Sequence, residues 1–176
     1  MSCINRMFFS LLLLLIPSAV LLAQPASNPP RLIQLTQKAG YMFSGTVLSV
    51  EHRSAKKDQE TDTVAITFHV DKGIRGTKTG QTLVVREWAG LWNTRERYRP
   101  GEHVFLFLYA PSRLGLTSPV SGDFGRLAIG SGNRVTLPDG MADELRIAAS
   151  TKRDAKLSRT MPLGQFVTAL RHASEE

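Results

Sequence analysis

The chain alternates between apolar and polar positions with a period of two over much of its middle. In residues 63–70, Val64, Ile66, Phe68 and Val70 fall on one side of an extended backbone, with Thr63, Ala65, Thr67 and His69 on the other. That alternation predicts a half-buried antiparallel strand. Residues 41–53 read as an earlier strand, with Phe43, Gly45, Val47 and Ser49 on one face and Met42, Ser44, Thr46, Leu48 and Val50 on the other. Gly45 in mid-strand predicts a bulge or a sharp coil. Residues 71–76, rich in turn formers, predict a turn, and residues 81–88 a third strand with Leu83 and Val85 opposed to Val84 and Arg86. After the Arg99-Pro-Gly101 turn, residues 103–109 are apolar on both faces: Val104, Leu106 and Leu108 against Phe105, Phe107 and Tyr109. A strand of that kind belongs in the middle of a sheet covered on both sides. Residues 126–129 and 134–137, joined by Gly130-Ser-Gly-Asn133, read as a closing hairpin.

Helical spacing flanks these strands. Leu32, Leu35 and Ala39 predict a short helix over 31–39 that Gly40 ends, and residues 142–149 have mild helical character. Leu163, Phe166, Val167 and Leu170 recur at i, i+3, i+4 and i+7, predicting an amphipathic helix over 161–173. The fold expected is mainly β: a small OB-like antiparallel barrel over 41–137 with the C-terminal amphipathic helix packed on it. Residues 24–40 would be a linker and the short helix, and residues 138–160 a flexible connection.

Residues 1–23 have the physics of a signal peptide: Arg6 in a short positive start, then an apolar run that Pro17 interrupts. The expected cleavage lies between Ala23 and Gln24, with no transmembrane segment afterwards, and retention as an uncleaved anchor is the alternative. These features place the mature protein in the periplasm or outside the cell. The single cysteine, Cys3, lies inside that segment, so the mature chain would have neither a disulfide nor a thiol ligand or nucleophile.

Hydrophobic residues make up 42% of the chain, which excludes global disorder. The net charge is +7, and removal of residues 1–23 takes out one basic residue and no acidic one. A positive exported protein suits an anionic partner: a protein surface, an anionic glycan or a lipid headgroup of the envelope. Export argues against nucleic acid.

Several of these segments together resemble a known pattern: Phe43-Ser-Gly45-Thr-Val47, then Val64-x-Ile66-x-Phe68-x-Val70-x-x-Gly73-Ile-Arg-Gly76, then Ala89-Gly90 and Tyr98-Arg-Pro-Gly101-x-x-Val104-Phe-Leu106-Phe. The pattern is similar to the OB-fold-like barrel of tissue inhibitors of metalloproteinases and netrin-type modules, over residues 41–109. The resemblance implies a fold. Those proteins carry a Cys-Gly pair where this chain has Ala89-Gly90. The animal inhibitors chelate their target's metal through an N-terminal cysteine, whereas Gln24 would begin this mature chain, so inhibition is not implied.

No catalytic set is legible. His52, His69, His103 and His172 lack ligand spacing, and neither a metal nor a cofactor site is expected. His69 and His103 would be neighbours if their strands paired. Ser54-Ala-Lys-Lys57 and Lys78-Thr-Gly80 match fragments of penicillin-interactive motifs, but the middle element is missing and Ser54 opens a charged loop. The best candidate is aromatic and basic: Arg86, Trp88, Trp92, Arg95, Arg97 and Tyr98, with Glu87 and Arg99 among them, holding both tryptophans of the protein. Aromatic faces stack on sugars or bases, and arginine pairs with phosphate or carboxylate. The competing reading is that Trp88 and Trp92 cap the barrel end. The expected function is therefore a non-enzymatic binding or interaction module. The alternatives are a structural subunit of an envelope assembly, or a small hydrolase whose site sequence does not assemble.

Overall fold

The computed structural model describes residues 32–55, 61–92, 96–138, 140–148 and 159–175. The expected cleavage site at Ala23 and Gln24, the 24–30 linker and Arg95 lie outside the described residues. Among the described residues seven strands form one antiparallel sheet: β1 (Tyr41–Arg53), β2 (Thr63–Arg75), β3 (Thr82–Trp88), β4 (His103–Leu108), β5 (Arg126–Gly130), β6 (Arg134–Thr136) and β7 (Thr160–Pro162), in the order β3-β2-β1-β4-β5-β6-β7. Three α-helices among the described residues accompany it: α1 (Leu32–Lys38), α2 (Met141–Ala148) and α3 (Leu163–Glu175). The fold is mainly β, as the alternation implied.

β4 stands fourth of the seven strands, and Val104 to Leu108 are all fully buried. Its two faces serve two separate cores. Val104, Leu106 and Leu108 join Phe43, Val47, Val64, Ile66, Phe68, Val70 and Val85 in an inner core. Phe105 and Phe107 turn the other way and pack with Met42, Leu127, Ile129 and Val135 beneath the helices. There Phe166 of α3 meets Phe105 edge-on at 5.0 Å, and Leu163, Val167 and Leu170 complete the docked face. Tyr109 lies just beyond the strand and is exposed. Its carbonyl accepts from the Thr117 hydroxyl and its N–H donates to Ser118 O.

The sheet curls without closing, so the expected barrel is a loose one. β1 is thirteen residues long, pairs with β2 along most of its length and with β4 through Tyr41–Thr46, and has three register irregularities. One falls at Ser44/Gly45, where a Cβ on Gly45 would stand 2.7 Å from His69 O. Bulges of this kind let a long strand bend and twist. Between the edge of β3 and the end of β4 runs a strap rather than a strand. Pro119 bridges Leu108, Val120 N donates to Phe107 O (2.8 Å), and Thr117 N donates to Arg86 O (2.8 Å).

β2 also differs from expectation, because it continues through the predicted 71–76 turn to Arg75. There Lys72, Gly73 and Arg75 pair with Ser44, Phe43 and Met42. Partners distant in sequence account for this. The Asp71 carboxylate accepts from Thr46 Oγ1 on β1, and Arg75 reaches α1, donating to the carbonyls of Thr36 and Ala39 and capping that helix.

Candidate functional site

The period of two along β3 divides the aromatic-basic stretch into two environments. Val85 and Glu87 point into the inner core, while Val84, Arg86 and Trp88 point to solvent. Glu87 is fully buried (0% exposed), an uncommon place for a carboxylate, and everything around it follows from that position.

A short 3-10 turn, Ala89–Trp92, follows β3 and folds Trp92 back over the end of the inner core. Trp92 Nε1 donates to Glu87 Oε2 (3.1 Å), and Tyr98 Oη donates to Glu87 Oε1 (3.3 Å). The rings of Trp92 and Tyr98 lie 5.8 Å apart. Tyr98 meets Phe68 edge-on at 5.5 Å, and His52 meets Trp92 edge-on at 5.7 Å. Trp92 and Tyr98 are therefore buried residues that close the end of the core.

Two arginines flank this plug. Arg97 Nε stands 3.9 Å from Glu87 Oε2, and its Nη2 stands 3.7 Å from Asp123 Oδ1 on the 3-10 turn Gly122–Gly125. The Arg126 guanidinium, from β5, lies 5.3 Å from the centre of the Tyr98 ring and pairs with Glu102. Burial pushes the Glu87 carboxyl above its ordinary value, against the opposing pull of Arg97, of the Trp92 and Tyr98 hydrogen bonds and of Arg126. Burial, reinforced by the neighbouring Glu87 charge, pushes the Tyr98 hydroxyl well above its ordinary value.

The remaining members of the stretch face outward. Trp88 is 51% exposed, with its ring packed along Gly90. Arg86 is exposed, and its guanidinium lies so close to Gly115 that a Cβ there would stand 2.8 Å from Nη2. Val84 is exposed one step further along the same face. The candidate residues thus separate into a surface pair, Arg86 and Trp88, and a closing cluster of Trp92, Arg97 and Tyr98.

Sequence reasoning placed Glu87 in the aromatic-basic stretch without assigning it to the core, and it gave no site role to Glu102, Asp123 or Arg126. For Glu87 the signal was present, since it shares the phase of Val85 on an alternating strand. For the others there was none, because only the topology brings β5 and its preceding turn beside this end of the sheet.

A second polar group lies on the outer face of β1, β2 and β4. The strands of His69 and His103 do not pair with each other; both flank β1, where each is registered opposite Thr46. Their imidazoles approach one carboxylate from two sides. His103 Nε2 is 3.1 Å from Asp71 Oδ2, off the line a hydrogen bond needs, and His69 Nε2 is 3.9 Å from Asp71 Oδ1. Among the described residues, no group of three or more His, Cys, Asp or Glu side chains is placed to hold a metal ion. No helix of the described residues is long and apolar enough to cross a membrane. Comparison with protein-family models, with curated proteins and with solved structures finds no match to this chain.

Proposed function

We propose that this protein is an exported, non-enzymatic binding module, secreted or periplasmic, built on an OB-like coiled sheet of the form found in tissue inhibitors of metalloproteinases and netrin-type modules. Its ligand is an anionic glycan, and its contact surface is the outer face of β3. The observation that carries the reading is the placement of Trp88 and Arg86 together on that face. There an indole is half open to solvent without being needed to close the core, two positions from a cation. A flat apolar ring beside a guanidinium can stack on a sugar while pairing with its acidic substituent. The positive charge of the whole chain draws such a polymer in.

Soluble heparin is the test ligand, titrated against the mature protein at several salt concentrations. Binding should weaken steeply with salt, because ion pairing is screened over about 8–10 Å at physiological ionic strength. Trp88→Ala should lower the affinity by about 1–3 kcal/mol, the scale of stacking on an aromatic platform, and leave thermal unfolding unchanged. Salt-insensitive or absent binding, or full affinity in Trp88→Ala, would overturn the assignment.

A further inference from the structure

Arg97 has donors without acceptors. Its side chain is only 12% exposed, and its Nε is buried with no hydrogen-bond partner. Among the described residues, the acceptors facing it are Leu91 O at 3.5 Å from Nη1, Asp123 Oδ1 at 3.7 Å from Nη2 and Glu87 Oε2 at 3.9 Å from Nε. A guanidinium that pairs well with a carboxylate does so at about 2.7–2.9 Å, often through two parallel bonds. Each of these contacts falls outside that range, so among the described residues a largely desolvated cation is left under-coordinated, an arrangement that costs free energy unless something fills it.

The two carboxylates that could satisfy Arg97 do so poorly, for different reasons. Glu87 is already committed to Trp92 Nε1 and Tyr98 Oη, and its burial favours the uncharged acid. Asp123 is a surface side chain, 80% exposed, that reaches Arg97 from the edge of the 3-10 turn. Arg126 repeats the pattern from the other side of Tyr98: its Nη2 pairs with Glu102, but its Nε is buried without a partner.

We infer that Arg97 is an oxyanion-binding point at the end of the inner core, and that Asp123 occupies in the free protein the place that a ligand's carboxylate or phosphate takes on binding. The planar fork of arginine suits either group. The ligand's oxyanion displaces a weakly held, solvated side chain rather than a buried one, so no part of the core has to open. The inference rests on the reading that the ligand is anionic, and it adds to Arg86 a second point at which that charge is read.

The test uses inorganic phosphate and citrate as separate ligands, at constant ionic strength, with the indole N–H resonance of Trp92 as reporter. Asp123→Asn removes the competing charge and should tighten binding roughly threefold or more, the scale on which an exposed ion pair competes. Arg97→Gln should weaken binding by about tenfold or more, as expected when a charged hydrogen bond is lost. Saturation by phosphate alone or by citrate alone identifies the preferred oxyanion, and either supports the site. Unchanged or weaker affinity in Asp123→Asn overturns the inference, as does unchanged affinity in Arg97→Gln. If Arg97→Gln fails to fold, Asp123→Asn decides the matter alone, since its side chain is on the surface. Heparin binding that depends on Trp88 but is indifferent to Asp123 would sink this inference while leaving the β3 face intact.

Discussion

Removing the acceptor at Glu87 and removing only its charge should have very different consequences. Glu87→Ala leaves two buried donors without an acceptor, Trp92 Nε1–H and Tyr98 Oη–H, and removes the carboxyl that the Arg97 guanidinium faces at 3.9 Å. A hydrogen bond to a charged group contributes about 1.5–3 kcal/mol, a neutral one about 0.5–1.5. Breaking a buried pair from one side costs about 3–5 kcal/mol, because the partner's charge stays behind. Since Glu87 is held toward its neutral form, the lower part of that range applies, and Glu87→Ala should cost about 3–4 kcal/mol. Glu87→Gln keeps an oxygen for Trp92 and a polar group for Tyr98, and it removes a carboxylate that is costly to ionise. Its cost should be about 1 kcal/mol or less, the range in which one neutral hydrogen bond is traded for another.

Urea midpoints of the mature protein and both variants, measured from acid to mildly alkaline pH, check this. A carboxyl whose native pKa is raised contributes stability that is fully present below its unfolded value, about 4.3 for Glu, and is lost as pH rises through the native value. Relative to the parent, Glu87→Gln should therefore gain stability across that window and stay level above it. The reasoning fails if Glu87→Gln is as damaging as Glu87→Ala, because the ionised carboxylate itself would then be what holds the plug together. It also fails if Glu87→Gln loses ground as pH rises.

Two further outcomes test the packing. Phe68→Ala and Leu106→Ala should each destabilise by about 2–5 kcal/mol, since both side chains are fully buried in the inner core. Thr67→Ala, on the outer face, should cost less than about 1 kcal/mol in the same denaturation assay, and the reverse order would mean a register wrong by one residue. Gly45→Ala should destabilise by about 1–3 kcal/mol, the usual cost of overpacking, because the added Cβ would press on His69 O at the bulge. An unchanged midpoint would show that β1 can relax there.

Much of this fold could be read from the chain because its strands obey local rules. The eight residues 63–70 needed only their alternation to be placed, and β4 only its apolar residues on both faces. Where expectation and structure part, the deciding contact is long-range. Residues 71–76 carry turn formers, yet they continue β2 because Thr46 takes Asp71 and the carbonyls of α1 take Arg75. Closure was expected from a Gly-bearing coiled strand, but the last side is a strap that meets β3 at Arg86 O, and strand-forming residues do not announce a strap. The pairing of Arg126 with Glu102 joins positions 24 apart across β4 and β5, which no local pattern could reveal.

The aromatic-basic stretch was legible as a concentration of unusual residues but not as a structure, because nearness in sequence is not nearness on one surface. β3 separates its members by phase: Glu87 turns inward while Arg86 and Trp88, its immediate neighbours, turn outward. The same strand therefore sets both the plug and the exposed pair, and its register with β2 (Ala65 opposite Arg86, Val64 opposite Glu87, Thr63 opposite Trp88) is fixed by which face is buried. A slip of one residue would put an indole and a guanidinium into the inner core and a carboxylate into solvent. The burial of Val64, Ile66 and Val85 opposes that slip. Glu87, held by Trp92 and Tyr98, opposes it again from the end of the strand, because only one register brings its carboxyl to both donors. On this argument the buried carboxyl contributes the orientation of Arg86 and Trp88 as well as its own hydrogen bonds, so the plug positions the surface pair from inside the core.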